Sequence, residues 1–407
     1  MDAPGRRPSG VAEALLDADA LVRAVPGLRI ASTGRATLSQ ERLDAVTGPL
    51  GLPRLEVVTD PAGLWSVELA LSRLLARASG GDGTDGGPDG GSDAVDAGVA
   101  GADAAPGGAD ARCDGAGAPA RPAAARWGEG PIPVRAGDGT PLRCWSAGPA
   151  DAPAVVLVTA CGMPAGLAAG WMRALAGPFR VVTWESRGMF AEPGGHRPAP
   201  LAGYDVASQA GDLTAVLDAL DIPGAHVMGL CGGAVVALAA AATAGPRVGS
   251  LSLWHGDYDL RDAAPRTEHQ RDMQAMMAMA ARSEEKATGV HRLMRRPVVL
   301  DSMRPDIAHH LIYPYATPLL LHRYGLLNGA IMSHDSRPYL SAAQPALVVT
   351  SRDDITAHPG GSQYVAARLP RARLVTRPSG DHLTAFDAGP EVVRIAERFL
   401  SDVLEDA

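Results

Sequence analysis

The stretch Ala225-His-Val-Met-Gly-Leu-Cys-Gly-Gly-Ala-Val-Val-Ala-Leu238 constrains this chain more than any other. It reads as a buried strand, a tight turn with Cys231 at its tip, and a helix. Gly229 and Gly233 stand two residues to either side of Cys231. A turn that throws one side chain outward leaves its neighbours no room for a Cβ atom. The helix that follows aims its unpaired N–H groups, and their partial positive charge, at the thiol. A strand this apolar is buried on both faces, so it belongs to a sheet covered by helices.

The pattern from Trp127 onward extends that sheet. Pro131–Arg135 and Pro141–Ser146 flank Ala136-Gly-Asp-Gly-Thr140, which predicts a β-hairpin. Ala154–Thr159, Arg180–Trp184, Ser250–Trp254, Ala346–Thr350 and Arg373–Thr376 are further strand-like runs. Helical segments separate them at Gly166–Leu175, Ala207–Leu220, Gly361–Arg368 and Pro390–Leu404. Ala207–Leu220 carries Leu213, Val216, Leu217 and Leu220 on one stripe. Such alternation predicts an α/β architecture, a doubly wound and mostly parallel sheet. Strands stop between about residues 256 and 338. Thr267–Ala287, Ile307–Pro318 and Leu319–Ile331 read as a helical cap inserted after the sixth strand of the sheet. Met273, Met276, Met277 and Met279 crowd the first of these, either as core packing or as the lining of an adaptable apolar pocket.

Ahead of this domain, residues 1–78 read as a small folded module. Helices are expected over Val11–Val25, over Gln40–Val46 with Ser39 as its cap, and over Ser66–Ala78, with a short strand at Leu55–Val58. Gly63-Leu-Trp-Ser-Val-Glu-Leu-Ala resembles the serine region of acyl carrier proteins, although Trp65 stands where that family has aspartate. Ser66 is therefore either an ordinary helix cap, the preferred reading, or a phosphopantetheine site. Residues 79–126 are rich in Gly, Ala and Pro, with eight Asp between Asp82 and Asp114, and too poor in large apolar groups to offset their ordering entropy. They are expected to form a disordered linker.

The bulk numbers exclude several classes. A net charge of −8 argues against a nucleic-acid partner. Among 37 basic residues only Lys286 is lysine, which with the Ala, Gly and Pro excess points to codon bias. No apolar run reaches the ~18 residues of a membrane helix. The first 30 residues, with Asp2, Glu13, Asp17 and Asp19, lack a signal-peptide pattern, so a cytoplasmic location is expected. Cys113, Cys144, Cys161 and Cys231 show neither zinc spacing nor a disulfide framework, and no metal or cofactor is expected. Cys144 should be an inert thiol in a strand. Nothing in the composition bears on oligomeric state.

The order of features from Trp127 on resembles the α/β-hydrolase fold family, with cysteine in place of serine in its G-x-S-x-G turn. Leu157-Val-Thr-Ala-Cys-Gly-Met-Pro164 occupies the family's strand-then-His-Gly position, with Cys161 replacing His and Gly162 kept. Val182-Thr-Trp-Glu-Ser-Arg-Gly188 resembles the D-x-R-G turn after the next strand. The resemblance implies a nucleophile–acid–histidine order. His382, in Pro378-Ser-Gly-Asp-His-Leu383, follows the last strand and takes the base position. The acid follows the Ala346–Thr350 strand in Arg352-Asp-Asp-Ile355. Asp354 is favoured by the family register, Asp257 and Asp353 being alternatives. The resemblance further implies an oxyanion hole from the backbone N–H groups of Gly232 and Met163.

Cysteine reacts as its thiolate, which a helix N-terminus and a neighbouring imidazole favour. His382 would take and return the proton, and Asp354 would hold its tautomer. An acyl-cysteine is a thioester and passes its acyl group on readily. The expected activity is therefore hydrolysis or transfer of an acyl thioester or ester, on a small-molecule substrate that is free or carrier-tethered. Ester or lactone hydrolysis, C–C bond hydrolysis and a non-catalytic ligand receptor are the alternatives. Cys161 is either a passive small side chain beside the oxyanion loop or, if within disulfide reach of Cys231, a redox partner.

Overall fold

A computed structural model describes residues 10–32, 38–80, 130–192 and 197–405. The expected linker lies outside the described residues from 81 onward, and so does Cys113. The first part of the chain contains α1 (Gly10–Asp17), α2 (Asp19–Ala24), β1 (Arg29–Ala31), α3 (Gln40–Thr47), β2 (Glu56–Val58) and α4 (Ser66–Gly80). Ser39 caps α3 as expected, its hydroxyl accepting from Arg42 N at 3.2 Å. The helix expected over Val11–Val25 is interrupted at Ala18 into α1 and α2. β1 and β2 pair in parallel, and Leu15, Leu21, Ile30, Leu43, Leu55 and Leu71 fill the core beneath them. β1 has only three residues, too short for an alternation pattern to announce it.

The second part begins with β3 (Ile132–Arg135) and β4 (Pro141–Ala147), the expected hairpin. There follow β5 (Ala154–Val158), α5 (Ala169–Leu175), β6 (Arg180–Trp184), α6 (Val206–Ala219), β7 (Ala225–Leu230), α7 (Gly232–Thr243) and β8 (Val248–Trp254). After β8 come α8 (Glu268–Ala280), α9 (Glu284–Met294), α10 (Ala308–Leu311) and α11 (Pro318–Ser333). The chain then returns with β9 (Ala346–Ser351), α12 (Pro359–Arg368), β10 (Ala372–Arg377), α13 (Thr384–Asp387) and α14 (Pro390–Glu405). The sheet order is β10-β9-β8-β7-β5-β6-β4-β3. β3 and β4 are antiparallel additions at one edge, and the other six strands run parallel.

β7 lies at the centre and is buried at every position. The helix it launches, α7, is made largely of alanine and valine, so it can lie close on the sheet. Trp171 of α5 and Trp254 of β8 are fully buried with ring centroids 5.2 Å apart. Trp171 Nε1 donates to Ala385 O at 2.7 Å, which ties α13, just after the β10 loop, to α5. Cys144 is buried in β4, where burial pushes its thiol up to about 12.

α8 to α11 form the cap. The continuous helix expected over Thr267–Ala287 is two helices. Ser283 turns its hydroxyl to Lys286 N at 3.1 Å and starts α9 afresh. Thr267 and Gln270 make a reciprocal capping box on α8. Of the four methionines expected there, Met277 is fully buried, Met273 and Met276 pack on the core from its margin, and Met279 is exposed. Core packing therefore accounts for three of them. No helix among the described residues is long and apolar enough to cross a membrane.

The first part packs against this cap. Ser66 donates its hydroxyl to Met294 O at 2.6 Å, and its N–H donates to Arg295 O at 3.0 Å. The Arg295 guanidinium lies 4.8 Å from the Trp65 ring centroid. This corrects both expectations for Ser66. It is 1% exposed, so its hydroxyl is closed to modification, and the reciprocal cap on α4 is Glu68, which accepts from Trp65 N at 3.1 Å.

Candidate active site

Cys231, His255, Asp354 and His382 all follow the carboxyl ends of neighbouring strands, where open α/β sheets place their ligands. Cys231 lies between β7 and α7 with φ 55° and ψ −125°. That conformation costs a non-glycine residue about 1–3 kcal/mol. The surroundings hold it: Cys231 N donates to Trp254 O at 2.9 Å, and Cys231 O accepts from Ala234 N at 3.0 Å. The flanking glycines are sterically required. A Cβ on Gly229 would lie 2.5 Å from Ala234 Cα, and one on Gly233 would lie 2.1 Å from Val158 O.

His382 and Asp354 meet as expected. His382 Nδ1 donates to Asp354 Oδ2 at 3.0 Å. Asp353 is exposed beside it, and the half-buried Asp257 instead accepts from Gln270 Nε2 at 2.6 Å. Of the three carboxylates, Asp354 is the one that pairs with His382. Its other oxygen, Oδ1, accepts from the N–H groups of Thr356 and Ala357, both at 2.9 Å. Burial alone would raise this carboxyl. The hydrogen bonds from His255 and His382, the charge of His382 and the backbone donors hold it well below the usual carboxylate range.

Burial likewise works against a charged His382, but the Cys231 sulfur and Asp354 outweigh it and hold the imidazole well above its ordinary value of 6.5. Nε2 of His382 is buried without a hydrogen bond of good geometry. The Cys231 sulfur therefore stands within electrostatic reach of the ring but outside that geometry, an arrangement that often tightens only when substrate arrives.

No motif in the sequence marks His255. It lies one residue past β8 with φ 48°, and its Nδ1 donates to the same Asp354 Oδ2 at 2.8 Å. Its one available signal was its place directly after a buried strand.

The loop after β5 differs in part from expectation. Gly162, at φ 76°, stands where a Cβ would come 2.8 Å from the Tyr324 ring of the cap. Its N–H donates to Ser186 Oγ at 2.8 Å. The Met163 N–H, expected to be free for an oxyanion, donates to Ala160 O at 3.3 Å and closes a turn. Gly232 N–H, at the first position of α7, is one of the donors a helix leaves without an intrahelical partner, as an oxyanion donor should be. Cys161 is buried, and its thiol donates to Gln209 Oε1 at 3.7 Å. Burial pushes that thiol up to about 12, so it is protonated. Cys144, Cys161 and Cys231 are all free thiols.

The turn after β6 braces this loop from behind. Glu185 accepts from Ala165 N at 3.1 Å and lies 3.0 Å from Arg143. Arg187 forms a two-pronged pair with Asp212, at 2.9 and 2.6 Å, and reaches Asp138 at 2.6 Å. The resemblance of Val182–Gly188 to a family turn thus marks a structural clamp.

Comparison with known proteins identifies the fold. The family model described as alpha/beta hydrolase fold matches residues 153–388. A protein of Variovorax paradoxus (strain S110) that carries the name of a carbamate hydrolase, RutD, is 37% identical over 118 residues. That match covers 28% of this chain and 41% of the relative's length. Among solved structures, an enol-lactonase from Burkholderia xenovorans LB400 is 25% identical with a TM-score of 0.50, covering 66% of this chain and 100% of that one. A hydrolase from Pseudomonas aeruginosa PA01 has the same identity and TM-score, covering 66% of this chain and 98% of its own.

Proposed function

Because the chain belongs to the α/β-hydrolase fold family, we propose that it is a hydrolase that cleaves acyl thioesters or activated esters through Cys231, His382 and Asp354. The observation that carries this reading is the His382–Asp354 pair, whose ring lies within electrostatic reach of the Cys231 sulfur at a strained strand-to-helix turn.

In this reading, the Cys231 thiolate attacks the substrate carbonyl carbon. A C–S bond forms and the carbonyl becomes an oxyanion. Gly232 N–H stabilises it, joined by Met163 N–H when its long bond to Ala160 O gives way. Donors of this kind are typically worth about 3 kcal/mol each. Collapse of the adduct breaks the bond to the leaving group, which takes the proton from His382. Water, deprotonated by His382, then attacks the acyl-cysteine and releases acid and thiol. An amine, alcohol or thiol replacing water would turn hydrolysis into transfer. His255 acts through Asp354 as a positioning residue.

The cysteine selects the substrate class. A thiolate leaves more easily than an alkoxide, so an adduct formed with an ordinary alkyl ester falls back by expelling Cys231. An adduct formed with a thioester has two comparable thiolate leaving groups, so a substantial fraction goes forward. An enol or other activated ester also goes forward, and the similarity to an enol-lactonase favours this second reading. Matched thioester, enol ester and alkyl ester substrates sharing one acyl group test the proposal. Turnover should fall in that order, and an enzyme fastest on the alkyl ester would refute it.

A further inference from the structure

A second cluster of ligating side chains lies away from Cys231, where the first part of the chain meets the cap. Asp17 ends α1, and His309 and His310 are adjacent on α10. His309 Nε2 lies 2.8 Å from Asp17 Oδ2, and His310 Nε2 lies 3.5 Å from the same oxygen. One ligand atom from each residue falls within 4.8 Å of the others. The two imidazoles overlap, with ring centroids 3.9 Å apart. Both histidines are buried, while Asp17 keeps 39% of its side-chain exposure and so leaves a path to solvent.

We infer that Asp17, His309 and His310 form a binding site for a divalent transition-metal ion, zinc foremost, that staples residues 10–80 to the cap. Zinc takes imidazole nitrogen and carboxylate oxygen at about 2.0–2.1 Å, and ligands on a tetrahedron of that size stand about 3.3 Å apart. The two distances to Asp17 Oδ2, 2.8 and 3.5 Å, bracket that edge, and all three ligand atoms lie within 4.8 Å of one another. The exposed side of Asp17 leaves the fourth position to water.

A simple ion pair accounts less well for the arrangement. Two neighbouring imidazoles aimed at one oxygen repel if both are charged. Both Nδ1 atoms are buried with no hydrogen bond among the described residues, so Nε2 is the edge that each ring offers to a ligand. A metal ion fixes both rings at Nε2. The site also touches the catalytic end of the sheet. A Cβ on Gly166, three residues after Met163, would lie 2.3 Å from His310 Cε1. The staple therefore backs the turn that follows the oxyanion loop.

Full-length protein, stripped with chelator and titrated with zinc, tests this by metal analysis after gel filtration. About one equivalent should be retained, and His309→Gln, His310→Gln and Asp17→Asn should each lose it while keeping the far-ultraviolet circular dichroism of the parent. Cobalt in place of zinc should give a visible d–d spectrum without the near-ultraviolet band of a cobalt–thiolate bond, which separates this site from Cys231. Should a variant fail to fold, the parent decides. Zinc should raise its Tm and EDTA should reverse the rise. No retained metal, retention unaffected by all three substitutions, or a thiolate band would overturn the assignment.

Discussion

His255 and His382 donate to one and the same oxygen of Asp354, at 2.8 and 3.0 Å, with their rings at 90°. A single carboxylate thus holds both imidazoles and is itself held by two backbone N–H groups. His255→Gln should lower kcat about tenfold with KM little changed, the effect of losing one charge-assisted hydrogen bond of about 1.5 kcal/mol. It should also shift the alkaline limb of the pH–rate profile, which a purely structural role would not do. Steady-state kinetics across pH checks both.

Cys231→Ala should reduce turnover by about 10⁴-fold or more, because the bond-forming atom is gone. Cys231→Ser should keep the fold and favour esters over thioesters relative to the parent. Ester and thioester kinetics on both variants measure this.

The raised His382 pKa fixes the sign of a pH effect. A group with a folded-state pKa above its unfolded value of 6.5 stabilises the fold fully below that pH. The contribution disappears as pH rises through the folded pKa. The imidazolium that protonates the leaving group disappears over the same range, so kcat/KM should have an alkaline limb above the ordinary histidine range. Asp354→Asn removes a partner that raises this pKa and should move the limb to lower pH.

Glu185 gives a second test of the same sign in a lower pH window. Burial pushes its carboxyl from 4.5 up to about 7, against the pull of Arg143 and Ala165 N–H. Between those two values the folded chain holds a proton that the unfolded chain has released, so stability falls as pH rises through this window. Denaturant unfolding of Glu185→Gln from pH 4.5 to 7.5 should show a flatter profile than the parent.

Gly233→Ala should be strongly destabilising, because its methyl group would overlap the Val158 and Thr159 carbonyl oxygens at 2.1 and 2.6 Å. A loss of about 3 kcal/mol or more is expected where backbone cannot yield. Gly211→Ala, with open space around its Cβ position, is the control. Thermal unfolding of both compares them.

Much of this was legible in the chain because the signals were local. Runs of β-branched residues announced β5, β6 and β9, an alternating Ser-Leu-Ser-Leu-Trp run announced β8, and Gly229 and Gly233 announced the turn around Cys231. Asp354 and His382 were found by their place after strands. What stayed hidden depended on contacts between distant segments. Nothing near Ser66 tells that Met294 and Arg295 lie above it. The Met163 N–H looked free because a turn back to Ala160 has no residue signature. His255 gains its meaning from an aspartate 99 positions away. Asp17 and His309 are 292 positions apart, so no ligand spacing could reveal them.

The central claim is that acyl groups pass through Cys231, and one measurement reaches it directly. The full-length protein is mixed with an acyl thioester, quenched in acid within the first turnover, and read by intact mass followed by peptide mapping. A mass increase equal to the acyl group, located on Cys231 and released by hydroxylamine, is the predicted result. Substrate turnover with no adduct at any quench time, or an adduct on another residue with Cys231→Ala as active as the parent, would contradict it.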